Sequence, residues 1–167
     1  MTDYHKTVEL IKDLLNQHNV EYKTFEHEAV RTSEEAAAIR PEYTLAQGAK
    51  ALIVRIKKKG VPKEEEKQFV QMVVPGDAKF DPKKARAELN AKDIRFATEA
   101  EVIELTDGVQ PGGVPPFGIL WGLPVFVEET LLNNDEIIFN AGDKRYSIAM
   151  PSSDYVKVVE PSVVAVV

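Results

Sequence analysis

Apolar side chains recur three and four positions apart from Thr7 to Asn16, at Val8, Ile11, Leu14 and Leu15, and this spacing predicts an amphipathic helix. The next stretch, "VEYKTFEH" (Val20–His27), reads as a strand. In "TSEEAAAIR", Thr32 and Glu35 form a capping box that opens a short helix, and Pro41 lies just beyond its end. "KALIVRI" and "KQFVQMVV" are nearly continuous apolar runs flanking the charged link "KKKGVPKEEE", the pattern of two paired and centrally placed strands. Asp81 as cap and Pro82 at the first helical position predict a third helix over "DPKKARAELN". A second capping box, Thr98 with Glu101, starts a fourth over "EAEVIELT".

Beyond a loop at Asp107–Gly122, "LPVFVEE", "DEIIFNAG" and "RYSIAM" read as strands, the last two joined by a turn around "GDK". "SSDYVKVVE" then predicts a capped helix and "SVVAVV" a closing strand. The resulting order is α-β-α-β-β-α-α-β-β-β-α-β. Neighbouring strands are close enough along the chain to pair directly, which favours a mixed sheet in an α+β fold over a doubly wound parallel one. Residues 1–167 read as one domain, with 1–19 an N-terminal helical segment; 44% hydrophobic content suits one core.

Composition narrows the chemistry. Cysteine is absent, which removes disulfides, thiolate metal sites and cysteine nucleophiles, and suits a reducing, cytoplasmic setting. Apolar runs fall far short of the ~20 residues that cross a membrane, so no membrane partner is expected. A net charge of −6 argues against neutralising many phosphates at once, although it leaves room for a local contact with an RNA end. The basic run "RIKKKG", followed at once by "KEEEK", reads as a solvated hairpin tip. No serine sits in a G-x-S-x-G elbow, and the three histidines, His5, His18 and His27, lack the spacing of a zinc motif. His27 reads as a partly exposed structural residue, with a substrate contact as the other reading.

The loop "DGVQPGGVPPFGILWG" holds five glycines and three prolines. It is no phosphate cradle, because proline supplies no amide where such loops need successive N–H donors. Taken alone it is either a long turn or a stiff backbone path that brings carbonyls close to a cavity. Phe117, Ile119, Trp121 and Phe126 read as core rather than pocket wall. Lys50, leading an apolar strand, taken alone would snorkel to the surface.

Three segments in order resemble the family of YbaK and prolyl-tRNA-synthetase-associated editing domains. These are "RTSEEAA" followed by the lysine-led "AKALIV"; a G-x-x-x-P element in "GGVPPFG", here Gly112 and Pro116; and "LPVFVEETLLNNDEIIFNAG", a strand, an acidic residue and a late glycine turn. The resemblance runs from about Val20 to the C-terminus. It implies a mixed, partly barrel-like sheet surrounded by helices. It also implies hydrolysis, in trans and without metal or cofactor, of the ester joining a small wrong amino acid to the 3′ end of tRNA, mostly the proline tRNA. Lys50 and Gly112 are then the expected catalytic positions, and Gly113, Pro116, Gly142 and Glu128 the expected substrate-binding ones. The tRNA acceptor end is the implied partner, with prolyl-tRNA synthetase a further one. Lys57, Lys58 and Lys59 would add steering. Two departures stand out: relatives carry aspartate where this chain has Glu128 and Glu129, and threonine where it has Ala51. They keep a rival open, a noncatalytic module that binds an aminoacylated or nucleotide-like ligand. A general small-ester or amide hydrolase is disfavoured, since nothing supplies the activated nucleophile or metal that an unactivated amide would need.

Overall fold

The computed structural model describes residues 3–29, 33–39 and 41–167. Along the chain run α1 (Thr7–Gln17), β1 (Lys23–Glu26), α2 (Ser33–Ile39), β2 (Ala49–Lys58), β3 (Lys67–Pro75), α3 (Pro82–Glu88) and β4 (Ala91–Phe96). They are followed by α4 (Glu99–Leu105), β5 (Val125–Glu128), β6 (Glu136–Asp143), β7 (Tyr146–Pro151), α5 (Ser152–Val159) and β8 (Ser162–Val164). One sheet has the order β4-β2-β3-β5-β8, the other β1-β7-β6. In the larger sheet β2 runs antiparallel to β3 and β4, whereas β3–β5 and β5–β8 are parallel, so it is mixed as expected. Neither sheet closes on itself. An isolated parallel bridge, Gly48 to Ile138, brings the start of β2 beside β6 and joins the two sheets at one corner.

The main core lies between the sheets. Val8, Ile11 and Leu15 of α1 enter it together with Phe117, Val127, Phe139, Ile148, Met150 and Tyr155. Ile11 and Leu15 are completely buried, and each such side chain contributes about 1.5–3 kcal/mol. A second cluster covers the other face of the larger sheet, where Val54, Ile56, Val70 and Met72 meet Ala85 of α3 and Val166. Asp81 caps α3 by accepting from the amides of Lys83 and Lys84, and Thr98 with Glu101 forms the reciprocal capping box of α4.

Two differences from the sequence reading have physical causes. β4 was expected as a connection; "AKDIRF" interrupts its apolar positions with Lys92, Asp93 and Arg95 because it is an edge strand, held to β2 and bonded through Asp93 to Arg55 at 2.8 Å. The final helix starts at Pro151 with no side-chain cap, and the Ser152 hydroxyl donates instead to the Asn134 carbonyl. Of the first capping box, Thr32 lies outside the described residues, as does Arg31 of the "RTSEEAA" segment.

Candidate active site

The Gly/Pro loop is fastened from below by two buried side chains. Gln71 on β3 is completely buried; its Nε2 donates to the Pro115 carbonyl at 2.9 Å and its Oε1 accepts from the Gly118 amide at 2.8 Å. The Tyr155 hydroxyl of α5 donates to the Pro116 carbonyl at 2.7 Å, and burial pushes its phenol pKa upward. Proline carbonyls are left without an intraloop amide partner, and Gln71 and Tyr155 supply the donors that burial demands. Gly118 fits because a Cβ there would meet Gln71 Oε1 at 3.1 Å and Leu123 Cβ at 3.2 Å.

From above, the loop rests on the β6–β7 hairpin. Gly113 is buried against the hairpin turn, and a Cβ there would lie 3.4 Å from backbone atoms of Asp143 and Lys144. Gly112 stays exposed, and its carbonyl accepts from Asn140 Nδ2 on β6 at 2.9 Å. Asn140 is itself held: Ser147 Oγ on β7 donates to its Oδ1 at 3.2 Å, and His27 Nε2 lies 2.7 Å from the same hydroxyl. His27 Nδ1 is 2.7 Å from the Glu28 carbonyl. Ser147 is completely buried. Its pairing with histidine therefore aims Asn140 and gives no open path for attack on an ester. A hydrogen-bonded line thus runs from Glu28 through His27, Ser147 and Asn140 to the Gly112 carbonyl.

Lys50 is the second residue of β2, half-buried. Side chains alternate along a strand, so Lys50 shares the face of Gly48 and, across the bridge to Ile138, that of Asn140. It has no hydrogen-bond or ion-pair partner among the described residues. The Gly112–Asn140 pair lies in the notch beside the corner where the two sheets meet, and the strand that carries Lys50 starts at that corner.

The remaining expected positions all make contacts within the scaffold. Pro116 is buried beneath the loop. Gly142 has φ +102°, and a Cβ there would sit 2.5 Å from Thr7 Cβ, so this glycine lets the bulged end of β6 accept α1. Glu128, 1% exposed, accepts from the Thr130 amide and hydroxyl through Oε2 and from the Val166 amide through Oε1. Its carboxylate ties the end of β5 to the C-terminal segment. Phe117 lies in the main core against Phe139 and Tyr155, as read from sequence. Lys57–Lys59 lie at the far end of β2, roughly 25 Å from Lys50 at ~3.3 Å per residue. No group of three or more His, Asp or Glu placed to hold a metal ion occurs among the described residues.

Sequence reasoning missed Asn140 and Ser147, while His27 is the partly exposed residue that was expected. Asn140 and Ser147 read as ordinary strand positions. Only the polar residues interrupting "EIIFNAG" and "RYSIAM" on the hairpin's outer face could have marked them.

Comparison with known proteins shows the chain's family. Residues 27–158 match the aminoacyl-tRNA editing domain. The chain is 33% identical over 152 residues to the multifunctional Ser/Thr-tRNA deacylase ProXp-y of Escherichia coli (strain K12), covering 90% of this chain and 87% of that protein. It is 28% identical over 136 residues to a proline–tRNA ligase of Sulfurihydrogenibium sp., covering 77% of this chain and 23% of the ligase. A crystal structure described as a candidate trans-editing enzyme for prolyl tRNA synthetase superposes with TM-score 0.78 and 25% identity, covering 98% of both chains. With the match spanning both the hairpin and the Gly/Pro loop, the chain belongs to the aminoacyl-tRNA editing domain family.

Proposed function

We propose that this protein hydrolyses, in trans, the ester joining a small wrong amino acid to the 3′ end of tRNA, with the proline tRNA among its carriers. The observation that carries the reading is the Gly112 carbonyl, exposed at the notch and fixed by Asn140 at 2.9 Å. A carbonyl oxygen has two lone pairs; Asn140 takes one, and the other accepts from the attacking water or the terminal ribose hydroxyl. An aminoacyl ester is already activated, so positioned water and stabilised charge suffice, with no side-chain nucleophile.

Water oxygen bonds to the acyl carbon, and the Lys50 ammonium stabilises the oxyanion of the tetrahedral intermediate. Collapse breaks the bond between acyl carbon and ribose oxygen. The proton lost by water ends on that oxygen, giving free amino acid and a restored ribose hydroxyl. Gly113, Pro116 and Gly142 contribute by shape, holding the carbonyl in register, and Glu128 by anchoring β5. The relative named as a Ser/Thr-tRNA deacylase supports the ester class. The relatives named as a proline–tRNA ligase and as a trans-editing enzyme support a link to prolyl-tRNA synthetase.

The test is release of amino acid from seryl-, threonyl-, alanyl- and cysteinyl-tRNA(Pro) by the purified protein and by Lys50→Ala. The variant is expected to lose about 10²–10³-fold in turnover, the scale of removing one charge-stabilising group, with an unchanged thermal midpoint. Unchanged turnover removes Lys50 from the mechanism. Tight binding without release by the unaltered protein makes it a noncatalytic module.

A further inference from the structure

On the far side of Gly113 from the main core lies a pocket of about 500 Å³, walled by the N-terminal residues Tyr4 and His5, the loop at Gly108–Gly113 and the β6–β7 turn with Lys144 and Arg145. Its basic groups are almost all committed. Arg145 donates from Nε and Nη2 to Asp143, at 2.9 Å each, and from Nη2 to the Asp3 carbonyl at 2.9 Å. Asp143 and Arg145 thereby neutralise one another; the Arg145 guanidinium holds the Asp143 carboxyl below its ordinary range. His5 accepts the Thr7 amide at Nδ1, so in the neutral ring Nε2 carries the hydrogen and donates to the Asp107 carbonyl at 3.1 Å. Nearby, Lys6 is paired with Asp107.

Lys144 differs from these. It has no hydrogen-bond or ion-pair partner among the described residues. Its stem lies over Gly112: a Cβ on that glycine would be 2.8 Å from Lys144 Cε and 3.5 Å from Nζ. The ammonium therefore lies beside Gly112 at the edge of the pocket. Asn140, which fixes the Gly112 carbonyl, comes from the same hairpin, so one rigid element places both groups.

We infer that this pocket takes the penultimate nucleotide of the RNA 3′ end, with the Lys144 ammonium on the phosphodiester that joins it to the terminal nucleoside. The pocket is large enough for a nucleoside, and an uncompensated ammonium at its mouth matches a single bridging phosphate. The chain's net charge of −6 fits a site that captures one phosphate rather than a run of them. This inference rests on the deacylase reading and names the part of the substrate that reading leaves unplaced.

The experiment compares three substrates carrying the amino acid that the panel above shows to be released fastest. They are the aminoacyl-adenosine, which has no phosphate; the aminoacyl cytidylyl-adenosine, which has one phosphodiester and one more base; and the full aminoacyl-tRNA. The unaltered protein is expected to gain about tenfold or more in kcat/KM from the first to the second, the scale of one charge-assisted hydrogen bond. Lys144→Ala should lose that gain, through KM, on both phosphodiester substrates while its loss on the nucleoside ester stays small. Lys144→Gln, which keeps the stem over Gly112, should behave as the alanine variant does, and Lys144→Arg should restore most of the gain. No gain in the unaltered protein, a gain that survives Lys144→Ala, or an equal loss on all three substrates overturns the inference while leaving the deacylase reading intact. Release from none of the panel overturns both.

Discussion

Glu128, expected at the site, is also held tightly by the fold. Burial pushes its carboxyl up, and the Thr130 hydroxyl and amide with the amides of Val166 and Val167 outweigh that and hold it below its ordinary value of 4.5. Because the folded value is the lower one, the contribution to stability is fully present above about pH 4.5, where the unfolded chain is also ionised, and fades as pH falls through the folded value. Glu128→Gln keeps the shape but turns an NH2 group toward a donor. The variant is expected to lose about 2 kcal/mol at pH 7, the scale of hydrogen bonds to a charged acceptor. Denaturant titrations at pH 7 and pH 3 check this: the gap between variant and parent should narrow at the lower pH. The same carboxylate reaches the Val166 amide, 2.8 Å from Oε1.

At the scale of elements, the Gly/Pro loop is the informative case. Its composition told of an unusual backbone path, and its prolines told that the path would lack amides. The side chains that satisfy its carbonyls were hidden in elements with other jobs. Gln71 interrupts the apolar run of β3, in "KQFVQMVV", and a lone polar residue in a central strand is the one clue that something must meet it. Gln71→Leu leaves the Pro115 carbonyl and the Gly118 amide without partners, which costs about 1–3 kcal/mol for each stranded group. The expected result is a thermal midpoint lowered by several degrees and a drop in deacylation larger than the fraction unfolded explains, because the Gly112 carbonyl sits on the same loop. Activity equal to the parent's in the folded fraction would separate the loop's anchoring from its chemistry. β4 makes the complementary point: edge strands tolerate charge, so its pattern resembled that of a connection.

Over the whole molecule, the acidic surface and the basic groups near the site together predict a weak dependence on salt. With one phosphate held by Lys144, log kcat/KM should fall against log salt with a slope of magnitude below about 2, at ~0.7–0.9 per phosphate. A slope several times steeper, measured from low to physiological salt, would demand an extended basic track. Much of the fold was legible before any coordinates. Amphipathic spacing placed α1, the Thr98–Glu101 box placed α4, Asp81–Pro82 placed α3, and continuous apolar runs placed β2 and β3 at the centre. These signals are local, since a helical period, a cap or an alternating strand is written within about ten consecutive residues. The lysine and glycine proposed as catalytic were named through family resemblance, which carries what local physics does not. Tertiary structure alone decided that Asn140 would meet Gly112, that His27 and Ser147 would stand behind Asn140, and that Lys144 would lie across the glycine. Each of those contacts joins residues brought together by sheet register and a hairpin bulge, and a shift of one residue in that register would turn every one of those side chains to the opposite face.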